Sequence, residues 1–245
     1  MFPTRRIITS GGDVYRDQYS LEFDGTDDYI TTGTGIDLGS TTDFTITCWA
    51  KAADWTDQMF MGKWQDVNYR WFLGVNGSDY LSFYSLSNSN GGITYTGTTA
   101  LTNGEWTHIA FVADRSADSK GYINGVLDDT DTTEVLTRDL DNTGALVIGA
   151  SGVAAGNPDY ITGNISEVSI WNTALSSNQV KQLYNGREPF DARNVAKSNL
   201  VSYWRMGDGT ERGAGTTIYD MSANANNGTM TNMDAATDYT GDTPA

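Results

Sequence analysis

Between Tyr19 and Trp49 the chain holds three runs of alternating side chains broken by two turn-rich stretches, a pattern that commits it to sheet. Tyr19, Leu21 and Phe23 alternate with Ser20 and Glu22. Asp24-Gly25-Thr26-Asp27 then supplies turn chemistry, and Asp28 to Thr32 resumes an extended, β-branched run. Past the Gly33 to Gly39 loop, Phe44, Ile46 and Cys48 fall on one face of a strand and Thr45, Thr47 and Trp49 on the other, since side chains project with a period of two. Apolar bulk on both faces predicts a central strand covered on both sides.

The same alternation continues downstream. Gln58 to Trp64 and Asn68 to Val75 read as the arms of a hairpin, Tyr80 to Ser85 follows the Asn76-Gly77-Ser78 turn, and Trp106 to Ala113 is again apolar on both faces. Asn124-Gly125 suits a two-residue hairpin turn because both central positions need positive φ. Asp128 to Asp141 reads as an acidic loop or edge, and 145–150 and 161–171 as two further strands. One helix is signalled near residues 176–185: Ser176 and Gln179 fit a capping box, Leu175 and Val180 a hydrophobic staple, and Asn185-Gly186 a stop. The reading is therefore all-β, an antiparallel sandwich with one short helix. Beyond a linker, Leu200 to Met206 reads as a strand, 217–232 as polar turns with a brief strand, and the tail after Met233 as loose.

Composition narrows the function classes. With 31 acidic against 15 basic residues the net charge is −16, which disfavours phosphate backbones and anionic lipid surfaces as partners. A single cysteine, Cys48, excludes an internal disulfide and reads as a buried, inert thiol. Residues 1–18 form a basic arm carrying Arg5, Arg6 and Arg16, with no apolar core of a secretory signal, and no run approaches the length of a membrane span.

Five motifs in order resemble the laminin-G-like jelly rolls of the concanavalin A-like lectin/glucanase superfamily. They are Leu21 to Gly25 with Asp28-Tyr29, Phe44 to Lys51, Gly104 to Ala110, Gly121 to Gly125, and Gly163 to Ser176. The resemblance covers residues 19–186 and implies two antiparallel sheets of a jelly roll with loops at the rim. Ser166 stands where the family has Asp before Glu167. The segment from Leu200 to Asn232 resembles one that ordinarily precedes the first strand, so residues 187–245 are expected to add a permuted edge strand to the same sandwich, with Trp204 beside Leu21 to Phe23; pairing with a neighbouring subunit stays open.

The glucanase pattern of paired Glu with an intervening Asp on one strand is missing, and His108, the only histidine, reads as a sheet residue with no nucleophile elbow beside it. No enzyme is expected. Trp55 and Trp64, with Asp66 and Asn68, are the candidate ligand-binding residues, because aromatic faces stack on sugar rings while amides and carboxylates bond their hydroxyls. Tyr69 and Trp71, alternating with Leu73 and Val75, read as core. The resemblance also implies calcium, the candidate cofactor, at Asp24, Asp28 and Glu167. The leading expectation is a surface structural module at the virion surface, such as a capsid decoration or fibre-like protein, since the last segment resembles phage-encoded structural proteins of this family. Its arm would dock on other virion proteins, and homo-oligomers are left open. The alternative is a lectin module attaching its bearer to glycans.

Overall fold

The computed structural model of the chain describes residues 17–88, 92–131, 138–152, 158–206 and 215–244. The basic arm therefore lies outside the described residues except for Asp17 and Gln18. In chain order the strands are β1 (Ser20–Asp24), β2 (Tyr29–Thr31), β3 (Phe44–Ala52), β4 (Met59–Asp66), β5 (Tyr69–Val75), β6 (Tyr80–Ser87), β7 (Gly92–Ala100) and β8 (Thr107–Ala113). They continue as β9 (Ser119–Ile123), β10 (Val126–Asp131), β11 (Leu146–Ile148), β12 (Thr162–Trp171), β13 (Leu200–Trp204), β14 (Thr217–Ile218), β15 (Gly228–Thr231) and β16 (Tyr239–Thr240), with α1 (Ser177–Tyr184) between β12 and β13.

Two antiparallel sheets form the sandwich. The first runs β10-β9-β8-β3-β12-β1-β16 with β13 also on β12, and the second runs β14-β15-β2-β11-β4-β5-β6-β7. Their inner faces share one core. Phe83 of β6 and Phe111 of β8 stack across the gap at 4.4 Å, with Trp71 against Phe83 at 5.9 Å and Tyr95 against Phe111 at 5.3 Å. Aromatic pairs of this kind contribute roughly 0.5–1.5 kcal/mol each beyond the area they bury.

The first sheet is covered on its outer face as well. Ala110, Val112, Tyr122 and Trp171 pack there against Leu175, Val180 and Leu183 of the α1 region and against Ala192, Val195 and Leu200. This second layer explains why β3 and β8 carry apolar side chains on both faces. The predicted capping box is present, with Ser176 and Gln179 bonded reciprocally. Thr45 fixes the approach to the helix, donating its hydroxyl to the Thr173 carbonyl at 2.8 Å and accepting from Leu175 N at 3.0 Å.

Both ends of the chain meet on β12. One edge of β12 pairs with β3 along its length. The other edge is shared end to end: β1 takes Thr162 to Ile165 and β13 takes Val168 to Trp171. Trp204 accordingly sits opposite Val168, with β13 end to end with β1, and Leu21, Phe23 and Trp204 all enter the inter-sheet core. The strand that flanks β1 comes instead from the tail expected to be loose, with Leu21 opposite Tyr239 and Ser20 opposite Thr240. Asp242 secures that tail by accepting from Lys51 Nζ at 2.5 Å and Trp106 Nε1 at 2.8 Å.

Where β1 gives way to β13, the β12–β3 register shifts between Ser166 and Ser169, and Glu167 adopts φ 55°, an extra-residue kink of the kind that re-aims a side chain. Its buried carboxylate accepts from Tyr203 Oη and from Arg205 Nε at 3.1 Å. Ser166 donates to Asp17 Oδ2 at 2.9 Å, and the Asp17 carboxyl lies within hydrogen-bond reach of the Glu167 carboxyl. Burial, then the neighbouring Glu167 charge, push the Asp17 carboxyl well above the ordinary carboxylate range.

Two outcomes follow from this junction. Arg205→Met leaves Glu167 buried without its cation and is expected to cost about 3–5 kcal/mol; urea unfolding measures it, and adding Glu167→Gln should recover most of the loss. For Asp17, the folded state holds a proton that the unfolded chain has already released, so its contribution falls as pH rises from about 3.9 through the raised value. Asp17→Asn should therefore melt progressively higher than wild type as pH goes from about 4 to about 8; a gap that does not change with pH would rule this account out.

Candidate functional site

The second sheet carries a row of large side chains on its outer face. With Trp71, Leu73 and Val75 of β5 turned into the core, Arg70 and Phe72 must point outward. Phe72 pairs with Tyr84 of β6 and their rings stack at 4.9 Å. Arg70 lies opposite Trp64 of β4 on one side and Leu86 of β6 on the other. Its guanidinium carbon sits 4.5 Å from the Trp64 ring centroid and 5.5 Å from that of Tyr84. It donates to the Val67 carbonyl at 2.5 Å and from Nη2 to Tyr84 Oη at 3.4 Å. Trp64, Arg70, Phe72, Tyr84 and Leu86 are all half-buried, beside exposed Gly92, Thr94 and Thr96 on β7.

The turn joining β4 to β5 bounds the row. Asp66 Oδ1 accepts from Asn68 N at 2.7 Å and Tyr69 N at 3.1 Å, and Gln65 Nε2 donates to Asp66 Oδ2 at 3.1 Å. The Asn68 amide holds the Asp66 carboxyl below its usual range. On the far side, the backbone at Ser151 crosses above Gly62, where any Cβ would fall 2.1 Å from the Ser151 oxygen. That close approach requires glycine and places a wall beside Trp64.

Of the expected ligand-binding residues, Trp64, Asp66 and Asn68 are thus gathered at one end of this row. Trp55 is not. It is fully buried, donates Nε1 to the Thr102 carbonyl at 2.9 Å and meets Phe60 edge-on at 6.0 Å, so it offers no face to a ligand. Its neighbours Asp54 and Thr56 are exposed, which is why the sequence around it reads as a loop. Arg70, Phe72 and Tyr84 are the residues sequence reasoning missed, although the alternation that buries Trp71 and Leu73 already turns Arg70 and Phe72 outward.

The first turn brings ligand atoms of Asp24, Asp27 and Asp28 within 4.8 Å of one another. Asp24 Oδ1 accepts from Thr26 N at 2.7 Å, and Asp28 Oδ2 from Asp24 N at 3.0 Å. Burial and the surrounding carboxylates raise the Asp28 carboxyl, against the pull of its amide bond. A compact set of hard oxygens in which one carboxyl is disfavoured as an anion suits a hard cation. Glu167, expected to join Asp24 and Asp28, does not: its carboxylate is engaged by Tyr203 and Arg205, and Asp27 takes its place in the cluster.

His108 lies on the covered outer face of the first sheet, edge-on to Trp49 at 5.3 Å. Burial pushes its imidazole down to about 3, so it stays neutral at physiological pH. With Thr47, Glu167, Ser169 and Phe190 it lines a small pocket beneath the α1 layer. Being almost wholly buried, it is not presented to a substrate.

Comparison with known proteins places this geometry. A family model described as the concanavalin A-like lectin/glucanases superfamily, of laminin G type, matches residues 24–181. No curated protein sequence matches the chain. Among solved structures it is similar to a Bacteroides ovatus protein assigned a carbohydrate-binding role, with a TM-score of 0.62 and 20% identity over 88% of this chain and 58% of that one. It is also similar to the native heptameric SAP-like pentraxin of Limulus polyphemus, with a TM-score of 0.54 and 17% identity over 70% of this chain and 83% of that one. A third is domain 4 of AbnA, a GH43 extracellular arabinanase of Geobacillus stearothermophilus, in complex with arabinotriose, with a TM-score of 0.50 and 22% identity over 67% and 76%. At these identities the likeness is one of fold. The chain spans 58% of the length of the Bacteroides ovatus protein.

Proposed function

The chain belongs to the laminin-G-like family of the concanavalin A-like lectin/glucanase superfamily, and from that premise we propose that it is a non-catalytic carbohydrate-binding module whose ligand lies along the outer face of the second sheet. The observation that carries this is the row Trp64, Arg70, Phe72 and Tyr84, half-exposed and rigidly interlocked. Sugar rings present C–H faces that pack on aromatic rings, and their hydroxyls need directional partners, which Arg70, Tyr84 Oη and the Asp66–Asn68 turn supply. Fold alone decides no function. The carbohydrate roles named for the Bacteroides ovatus protein and the arabinanase domain nonetheless support a glycan over another ligand.

A virion-surface setting is part of the proposal as the place where such an attachment module would serve. So is calcium, held by Asp24, Asp27 and Asp28 in a structural capacity, where it would brace the β1–β2 turn.

Binding is tested on an oligosaccharide array with folded variants. Trp64→Ala and Tyr84→Ala should each weaken the best ligand about tenfold or more, roughly 1.4 kcal/mol, while Trp55, being buried, contributes only to stability; undiminished binding by both variants would remove the site. Calcium is tested by melting. Saturating calcium at about 100 times its Kd should add about 2.7 kcal/mol of stability, lost on chelation and in Asp28→Asn; a melt indifferent to both additions would dismiss the metal.

A further inference from the structure

Arg70 carries information about the ligand's charge. It belongs to a strongly acidic chain, and among the described residues Lys51, Lys63, Arg193 and Arg205 each lie within salt-bridge distance of a carboxylate: Asp242, Asp37, Asp191 and Glu167 respectively. Arg70 has no such partner among the described residues, a condition it shares with the solvent-facing Lys120, Lys181, Arg187 and Lys197; what sets it apart is its seat between two aromatic rings. Its bonds go to a carbonyl and a phenol, and the acidic residue beside it, Asp66, feels the Arg70 charge but directs its oxygens to two turn amides and the Gln65 side chain.

The guanidinium is also held in place. With Trp64 at 4.5 Å and Tyr84 at 5.5 Å, its orientation is set by rings that offer no competing anion. A guanidinium has five N–H donors, and the bonds to Val67 and Tyr84 use only part of that fork. A fixed planar fork matches a planar carboxylate bidentately and loses little freedom on engaging one.

We propose, resting on the carbohydrate reading above, that the ligand is an acidic glycan whose repeating sugar bears a carboxylate, with that carboxylate on Arg70 and the sugar ring along Phe72 and Tyr84. The net charge of −16 does not oppose this at working salt. Charges more than a Debye length away, about 8 Å at physiological ionic strength, are screened, whereas a partly desolvated contact is screened much less. Neutral sugars would use the aromatic row without needing a guanidinium held in its middle.

The test compares oligogalacturonate with its methyl ester, identical in ring and linkage but uncharged, by titration calorimetry at about 0.15 M salt. Wild type should bind the acid form at least about tenfold more tightly than the ester. Arg70→Gln should abolish that preference, and Arg70→Lys, which keeps the charge but loses the fork, should retain only part of it. Equal binding of acid and ester, both lost in Tyr84→Ala, would overturn the acidic class and leave the carbohydrate site standing. A preference for the acid that survives in folded Arg70→Gln would overturn the assignment of the carboxylate to Arg70. Failure of both forms, with a sulfated or neutral oligosaccharide bound at Tyr84 instead, would overturn the carboxylate while sparing the module. Failure of every oligosaccharide would overturn the module as well.

Discussion

The pairing of β12 is the constraint on which the rest of the structure depends. A central strand must satisfy hydrogen bonds on both edges, and β12 meets one of those edges with β3 and the other with two strands that come from opposite ends of the chain. The edge of β12 is therefore complete only with both residues 20–24 and residues 200–204 in place. Such long-range pairing costs loop-closure entropy before it gains contacts. The kink at Glu167 is where the two halves of that edge are reconciled. The side chain it re-aims ties β12 to Tyr203 and Arg205, and the residue before it reaches Asp17.

This also separates what was legible in the sequence from what was not. The strand β3 is readable because Phe44, Ile46 and Cys48 alternate with Thr45 and Thr47, β8 because a short continuous apolar run behind the Asn103-Gly104 turn fits a strand buried on both faces, and the helix because Ser176 and Gln179 announce a cap locally. β7 was passed over. Its run of Gly92, Thr94, Thr96 and Gly97 shows little apolar alternation, since it is the edge of the second sheet and buries chiefly Tyr95. The tail was misjudged for a related reason: β16 is a two-residue strand whose place is set by partners more than two hundred residues away, as in Ser20 Oγ donating to the Asp242 carbonyl. No local pattern announces a pairing of that kind.

The misplaced site residues repeat the lesson at the level of single side chains. Trp55 sits among exposed polar residues in the sequence, yet its indole closes the end of the core. Glu167 sits in a motif whose resemblance implied a metal ligand, yet its carboxylate is turned toward Arg205. Asp27 lay one residue from Asp28 and was set aside as turn chemistry, although the turn is what brings the three carboxylates together. In each case the direction of the side chain decides its role, and direction depends on the packing around it rather than on residue type.

Coverage, finally, decides where this fold can present a binding surface. Over β8, β9 and β12 the outer face of the first sheet is covered by α1 and the segment up to Leu200, which leaves His108 and Glu167 buried beneath that layer. The second sheet has no such layer over β5 and β6 among the described residues, and there the outward positions of the alternation hold Phe72, Tyr84 and Arg70 in place of the small polar residues that a merely solvated face would carry. Keeping those rings half-exposed forgoes part of the roughly 1.5–3 kcal/mol that full burial of a side chain of that size contributes. The surrounding geometry spends further constraint on the same spot: a glycine at 62 that lets the Ser151 backbone approach, an Asp66 turn that fixes the rim, and two rings that hold one guanidinium. On the reading proposed above, a face constrained this closely meets a rigid ligand with flat apolar faces and an anionic edge.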